Sequence, residues 1–591
     1  MCGIVGYTGK RAAMPVLISG LKKLEYRGYD SAGIALASAD NILIRKQSGK
    51  VSGLADLVEG EKEALSSAHC GIAHTRWATH GPPTTLNAHP HEGNEGRVVL
   101  VHNGIVENHN ALRDRFIAAG HIFKSDTDSE VLAHLVESNY NGNLIDAVKA
   151  SLKEVEGTYG ITCMCKDEPS VLVVARCGSP IVLGLGEDET IVASDASAII
   201  TYTRQAIYLD DGDIARIEGS QVDIQSLDSG AVTRTPSEID WSPDAAEKGG
   251  FEHYMLKEVF EQPQAIKNTI RGRIDLNRGT AILSGLNLTP RELVDIQRLL
   301  IVGCGTSMNA GLIGEYAVED FAGIPAEVEQ AAEFRYRNPI VGSRDMVPAI
   351  SQSGETADTR AAVREAVEKG SLVAALVNVV GSTIARETGR GIYLHAGPEI
   401  SVASTKAFTS QVSVLLLIAL KLARANRLSR ERGIQIAKEI ERLPELVQAV
   451  LDTNDQIAKV ASHYADYNNA FYIGRGYMFP VALEGALKLK EISYIHAEGY
   501  HSAELKHGPI ALLEESMPVI ALLNEGPGQD KSLINVAECK ARSAPVLGVI
   551  TQGDEEARKA CDHVIEIPAC PMYTSVVPAA VALQLFAYHV A

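Results

Sequence analysis

Apolar positions along residues 1–240 come in short runs, IVGY at 4–7, VVLVHNG at 98–104, YGITCMC at 159–165 and VLVVAR at 171–176, a texture that predicts β-strands. Helical spacing intervenes at 14–24, where Leu17, Leu21 and Leu24 share one face, and from 130 to 136 and beyond. Strands and helices do not strictly alternate here, so helices layered on sheets, an α+β arrangement, are expected. From about residue 290 the pattern changes. RLLIVGCGTS at 298–307 and MVPAISQSGET at 346–356 each lead from an apolar run into helical spacing, which predicts a doubly wound α/β sheet. The stretch 235–250 between the two textures, TPSEIDWSPDAAEKGG, is rich in Pro, Gly, Ser and Asp and reads as a linker.

The second half also repeats itself. Gly303 and Gly474, Gly305 and Gly476, Glu333 and Glu504, and Met346 and Met517 are each 171 residues apart. A displacement of that length indicates two homologous α/β domains, because solenoid repeats run only about 20 to 50 residues. The resulting plan is 1–240, a linker with lead-in helices at 241–288, a first α/β domain at 289–428 and a second at 460–591.

Composition narrows the function. The chain has 591 residues, 46% hydrophobic and 22% charged, the profile of ordinary globular domains. With 55 Lys and Arg against 74 Asp and Glu, the formal charge of −19 repels nucleic acid. The apolar run at 412–420 is shorter than the roughly 20 residues a membrane span needs and reads as a buried helix segment. MCGIVGYTGK lacks a secretory pattern, which points to the cytoplasm. Nine cysteines without a CxxC pair suggest neither a disulfide framework nor structural zinc. Cys163 and Cys165, two apart in a strand, are expected to pack on one face. His89 and His91 are read as loop or core histidines, since no third residue has metal-ligand spacing.

Two features carry chemistry. Removal of Met1 would place a thiol and a free α-amine on Cys2, giving one residue both a nucleophile and a base whose reference pKa lies near 7.7 to 8.0. CGTS at 304–307 and SQSGET at 351–356 put hydroxyls where strands open onto helix N-termini, positions that bind anions without lysine and that also serve simple helix capping. GCGTSM has Met308 where a dinucleotide fingerprint needs its third glycine, and no Walker lysine follows, which disfavours nucleotide cofactors. The segment 171 residues after SQSGET reads LLNEGP, without hydroxyls, so one sugar-phosphate site per chain is expected.

MCGIVGY, LEYRGYDSAG at 24–33, HTRWATHGPPTTLNAHPH at 74–91, VHNGIVEN at 101–108 and SDTDSE at 125–130 resemble, in order, the class II glutamine amidotransferase domain of the N-terminal-nucleophile hydrolases, a layered αββα fold. The resemblance implies that Cys2 attacks the glutamine amide, that Asn103 and the Gly104 N–H hold the oxyanion, and that Arg76 and Asp128 bind the substrate carboxylate and ammonium. It places Thr79 and His80 in the glutamine pocket, together with Trp77, which also resembles a family residue gating an internal passage for ammonia.

The strand-end blocks, with VASTKAF at 402–408 and EGALKLKEISYIHAE at 484–498, resemble the paired sugar isomerase domains of the glutamine–fructose-6-phosphate aminotransferase family. By that resemblance Ser307, Ser351, Gln352, Ser353 and Thr356 hold a phosphate, and Thr306, Val402 and Ser404 contact the sugar. Glu491 moves a proton between C1 and C2 beside Lys488, and His507, supplied across a homodimer interface, assists ring opening. Read without the family, KLKEISY is an amphipathic helix. The implied substrates are glutamine and fructose 6-phosphate, with no cofactor or metal, and the implied product is glucosamine 6-phosphate, which opens hexosamine and UDP-GlcNAc biosynthesis. Family members continue into a tail bearing a Schiff-base lysine, whereas this text ends LFAYHVA. The alternative is therefore a phosphosugar-binding or synthase-impaired homologue. A second rival, amidophosphoribosyltransferase, requires an acidic pair and a glycine-rich phosphoribosyl loop that the second half lacks.

Overall fold

Two antiparallel sheets lie face to face behind Cys2. The first has eight strands among the described residues, in the order Ser237–Glu238, Gln205–Tyr208, Val182–Gly186, Glu189–Ala193, Gly3–Gly9, Cys70–Arg76, Ser31–Ala37 and Ile42–Ser48. The second runs from Gly230–Ala231 through Gln221–Ser226, Asp213–Glu218, Glu168–Cys177, Gly157–Cys165 and Val98–Val106 to His91–Glu92. Ile4, Ile72, Val99, Val101, Met164 and Leu172 fill the space between the sheets. The outer face of the second sheet carries Cys163, Cys165 and Val173 against Val131 and Leu135 of helix Glu130–Ser138 and Val148 of helix Leu144–Leu152. Met164 points inward and its two cysteine neighbours outward, the two-residue period of a strand. Helix Ala13–Leu24 covers the other outer face and buries Leu17, Leu21 and Leu24. The result is the expected αββα stack.

All of this belongs to the first of two units, Met1–Glu247 and Lys248–Ala591. The computed structural model describes every residue except 1, 26–27, 39–40, 62–64, 66, 229 and 240–247. Met1 and half of the expected linker at 235–250 therefore lie outside the described residues.

The second unit contains two five-stranded parallel sheets of identical connectivity. One is ordered Ala326–Gln330, Arg298–Gly303, Asp345–Ser351, Leu372–Val377, Gly391–Tyr393, and the other His496–His501, Asn469–Gly474, Val519–Leu523, Val546–Thr551, His563–Ile567. Arg298–Gly303 and Asn469–Gly474 are displaced by the same 171 residues as the sequence identities, and helices Thr306–Ala322 and Met478–Ser493 follow them in the same way. The chain order 2-1-3-4-5 makes the gap between the first and third strands a switch point, where helices leave toward opposite faces and a crevice opens.

Helices Lys406–Asn426 and Met572–Val590 run through the common core of this unit. By length and composition each could cross a membrane, so the run at 412–420 is part of a longer apolar helix than run length alone suggested. Their most apolar windows are 94% and 89% buried inside the protein, which explains the hydropathy as core packing.

Candidate functional site

In the first unit Cys2 sits at the head of the central strand Gly3–Gly9, between Glu189–Ala193 and Cys70–Arg76. Its Sγ accepts the Trp77 N–H at 3.3 Å and donates to the Trp77 carbonyl at 3.6 Å, and the residue is only partly buried, so the thiol is reachable. Trp77 is 42% exposed and meets Tyr29 edge to face. The turn that carries Cys2's neighbours is clamped: Asp30 accepts from the Ala78 N–H at 2.8 Å, and its own N–H donates to the Arg76 carbonyl at 3.0 Å. Gly28 permits this close approach, since a Cβ there would lie 2.6 Å from the Arg76 carbonyl carbon.

Asn103 reaches the same place from the second sheet. Its Nδ2 donates to the Cys2 carbonyl at 3.1 Å, and its Oδ1 lies 2.9 Å from His74 Nε2. Gly104 follows with φ +136, and a Cβ would collide with the Thr158 carbonyl oxygen at 2.1 Å, so the backbone there requires glycine. Arg76 is 4% exposed and its guanidinium is held by the carbonyls of His80, Gly81 and Pro82. Burial lowers its pKa, opposed by Cys2 and Asp128, which are near enough for their charges to be felt. Asp128 accepts from the Val106 N–H at 2.9 Å and from Ser129 Oγ at 3.3 Å. Thr79 and His80 stand on the exposed side, 3.4 Å apart.

In the second unit the switch point of the first sheet gathers the predicted hydroxyls. Ser307 Oγ accepts from Gln411 Nε2 at 3.1 Å. Ser351 and Thr356 hydroxyls meet at 2.9 Å, the Gly354 N–H donates to Ser351 Oγ, and the Glu355 N–H donates to Ser353 Oγ. Gln352 accepts the Asn378 N–H through its carbonyl. Thr356, the N-cap residue of helix Ala357–Glu368, makes no side-chain capping bond, and the N-cap of helix Thr306–Ala322 is Gly305. The Thr356 hydroxyl is therefore not spent on capping its own helix and bonds to Ser351 instead.

Thr306 connects the two repeats. Its Oγ1 donates to Glu484 at 3.0 Å and accepts from Lys488 Nζ at 3.0 Å, while Asn309 donates to the other Glu484 oxygen at 2.8 Å. Lys488 Nζ lies 3.3 Å from Glu484 and 2.6 Å from Glu491. Burial works against the Lys488 ammonium, but the two carboxylates outweigh it and raise its pKa. Burial also raises the Glu484 carboxyl, with Lys488 pulling back. Glu491, with 29% of its side chain exposed, is less buried than Lys488 and Glu484.

Val402 is 45% exposed, and Ser404 donates to Glu399 at 2.8 Å. Glu399 also accepts from the Thr405 and Ala407 N–H groups and so ties this loop to the start of helix Lys406–Asn426. Glu258 accepts from the Ile400 and Ser401 N–H groups, and burial, with Glu399 nearby, pushes its carboxyl up to about 8. His507 is exposed at the end of the turn Ser502–His507, and no hydrogen bond or ion pair among the described residues brings it to Glu491. Sequence reasoning missed His74, Asp30, Asn309, Gln411, Glu399 and Glu484. For Glu484 a signal existed, since 484, 488 and 491 share one helix face.

The two halves define a class, a glutamine amidotransferase domain followed by phosphosugar-type SIS domains. The model of the glutamine amidotransferase domain family matches residues 59–226, and that of the SIS domain matches 292–421 and 463–591. Over all of this chain and 97% of their own length, the glutamine–fructose-6-phosphate aminotransferases (isomerizing) of Chlorobaculum tepidum and Thermus thermophilus are 48% and 47% identical to it. A solved C-terminal domain of glucosamine-fructose-6-phosphate aminotransferase from Francisella tularensis is 37% identical, with TM-score 0.56, covering 58% of this chain and 97% of that one. The chain belongs to the glutamine–fructose-6-phosphate aminotransferase (isomerizing) family.

Proposed function

We propose that the chain hydrolyses glutamine at Cys2 and delivers the ammonia to fructose 6-phosphate with isomerisation, giving glucosamine 6-phosphate and glutamate. The observation that carries the reading is the pairing of a reachable N-terminal thiol beside an Asn-Gly donor pair with a hydroxyl-lined crevice beside a buried Lys–Glu cluster.

In the first reaction, once Met1 is removed, the Cys2 sulfur attacks the side-chain amide carbon of glutamine, and the freed α-amine of Cys2 takes the thiol proton. Asn103 Nδ2 and the Gly104 N–H receive the negative charge that develops on oxygen, which is where fixed donors lower the barrier most. Ammonia leaves, and water then releases glutamate from the thioester. Arg76 and Asp128 divide the substrate's α-carboxylate and α-ammonium between opposite charges, with Thr79, His80 and Trp77 completing the pocket.

In the second reaction Ser307, Ser351, Gln352, Ser353 and Thr356 hold the phosphate, and Thr306, Val402 and Ser404 the sugar. Ammonia adds to the C2 carbonyl of the open chain, water leaves, and Glu491 carries the proton from C1 to C2 that converts the imine into an amino-aldose. Lys488 holds Glu491 in place through their 2.6 Å ion pair. Keeping ammonia inside the protein preserves its nucleophilicity, because free ammonia is mostly protonated near neutrality. The reading includes a cytoplasmic homodimer in which the partner's His507 completes each sugar site. The alternative of a synthase-impaired homologue is not favoured, given that the curated relatives named above match across the whole chain.

The phosphate assignment is tested by Ser351→Ala. Loss of a hydroxyl that organises both Gly354 and Thr356 is expected to raise KM for fructose 6-phosphate by about tenfold with kcat changed much less. An unchanged KM for the phosphosugar would remove this crevice from the scheme.

A further inference from the structure

We propose that His74 is a positioning residue that sets the side-chain amide of Asn103, so that Nδ2 and not Oδ1 faces the reacting centre. The inference rests on the assignment of Cys2 and Asn103 given above and adds to it the group that makes Asn103 a donor.

His74 lies on strand Cys70–Arg76 and is 1% exposed. Its Nε2 is 2.9 Å from Asn103 Oδ1 and 3.2 Å from the His102 carbonyl oxygen. Both partners are acceptors, so the proton of the neutral ring must be on Nε2. Nδ1 then carries only a lone pair, and it is indeed buried without a hydrogen-bond partner among the described residues. Burial lowers the His74 pKa to about 3, opposed by the bond to Asn103, so the ring stays neutral throughout the working pH range. His89 stacks on it at 4.1 Å between centroids, and His89 Nδ1 in turn accepts the His102 N–H at 3.3 Å. The ring is thereby held in place by His89, while the two acceptors at Nε2 set its tautomer.

A fixed Nε2–H leaves the Asn103 amide one orientation. Oδ1 must turn to His74, which sends Nδ2 to the Cys2 carbonyl, 3.1 Å away. The amide nitrogen has two hydrogens, and the one not used on Cys2 is left for the oxyanion. Without His74 the flipped amide loses only one hydrogen bond, and its oxygen would then repel the charge it should stabilise.

The test is a double-mutant cycle on glutamine hydrolysis by the full chain. His74→Leu is expected to lower kcat about 10- to 100-fold with KM for glutamine within about twofold, because the lost interaction belongs to the transition state. His74→Gln, whose amide nitrogen can occupy the Nε2 position, is expected to stay within about threefold of the parent. In an Asn103→Ala background His74→Leu should change kcat less than about twofold, and all losses should be independent of pH from 6 to 9. The rate of Cys2 alkylation by iodoacetamide reports that the strand end is intact. If the Leu variant does not fold, His74→Asn, which lacks a donor at the Nε2 position, replaces it. Equal losses for Leu and Gln, or a Leu loss that persists in full without the Asn103 amide, would overturn the proposal. Undiminished kcat in Asn103→Ala alone would overturn the oxyanion assignment beneath it, a separately readable failure.

Discussion

Replacing Cys2 with serine lowers glutamine-dependent formation of glucosamine 6-phosphate by about a thousandfold or more, measured as initial rate with saturating fructose 6-phosphate. The substitution changes one atom, so strand Gly3–Gly9 and its bond from Asn103 to the Cys2 carbonyl persist, and glutamine binding at Arg76 and Asp128 should change little. What is lost is acidity. A thiol of reference pKa near 8.5 can give its proton to an α-amine near 7.7 to 8.0, whereas a serine hydroxyl is too weak an acid for that base. The buried histidines cannot substitute as the base. His74, His89 and His102 are all depressed by burial, and their ring nitrogens are engaged, His74 with Asn103, His89 with the His102 N–H, and His102 with Ser129 Oγ and the Thr158 carbonyl. A serine variant retaining a tenth of the parental rate would mean that the nucleophile lies elsewhere.

Lys488→Met has the second largest expected effect, and it falls on the other unit. Lys488 is 0% exposed and Glu484 1% exposed, so removing the ammonium strands a buried carboxylate, a change that destabilises by about 3–5 kcal/mol. Denaturant unfolding of the variant should show that loss, and aminosugar synthesis should fall with it as Glu491 loses its counter-ion. Adding Glu484→Gln should restore most of the stability, because a neutral pair no longer needs a cation, yet leave synthesis impaired. Recovery of both together would make the cluster purely structural, and recovery of neither would mean that the carboxylate is not what the lysine compensates.

These two sites differ in how far the sequence disclosed them. Cys2, Asn103, Gly104, Arg76 and Asp128 were visible as ordered text blocks, and the duplication was visible as a constant displacement that the sheets then reproduced strand for strand. Period-2 alternation placed Cys163 and Cys165 correctly on one face. The same alternation held an unused signal: Cys70 and Ile72 face the space between the sheets, as do Val99 and Val101. Continuing both patterns brings His74 and Arg76 toward Asn103 across that space.

Other partners left no trace in spacing. Gln411 is one of several buried polar residues near the start of a largely apolar helix, and it meets Ser307 only because helices Thr306–Ala322 and Lys406–Asn426 pack together. Asn309 and Glu484 are joined across the two repeats, a contact that depends on how the duplicated domains associate in the second unit. Hydrogen bonds between distant segments are decided by packing, and local pattern is silent about them.

The central claim is that nitrogen released from glutamine in the first unit enters a phosphorylated ketose in the second. It is tested most directly with glutamine carrying nitrogen-15 in its side-chain amide, supplied with fructose 6-phosphate and an excess of unlabelled ammonium, and with mass analysis of the amino sugar. The account predicts glucosamine 6-phosphate that retains the heavy isotope almost undiluted. Product whose nitrogen matches the unlabelled ammonium pool, or no amino sugar at all, would contradict it.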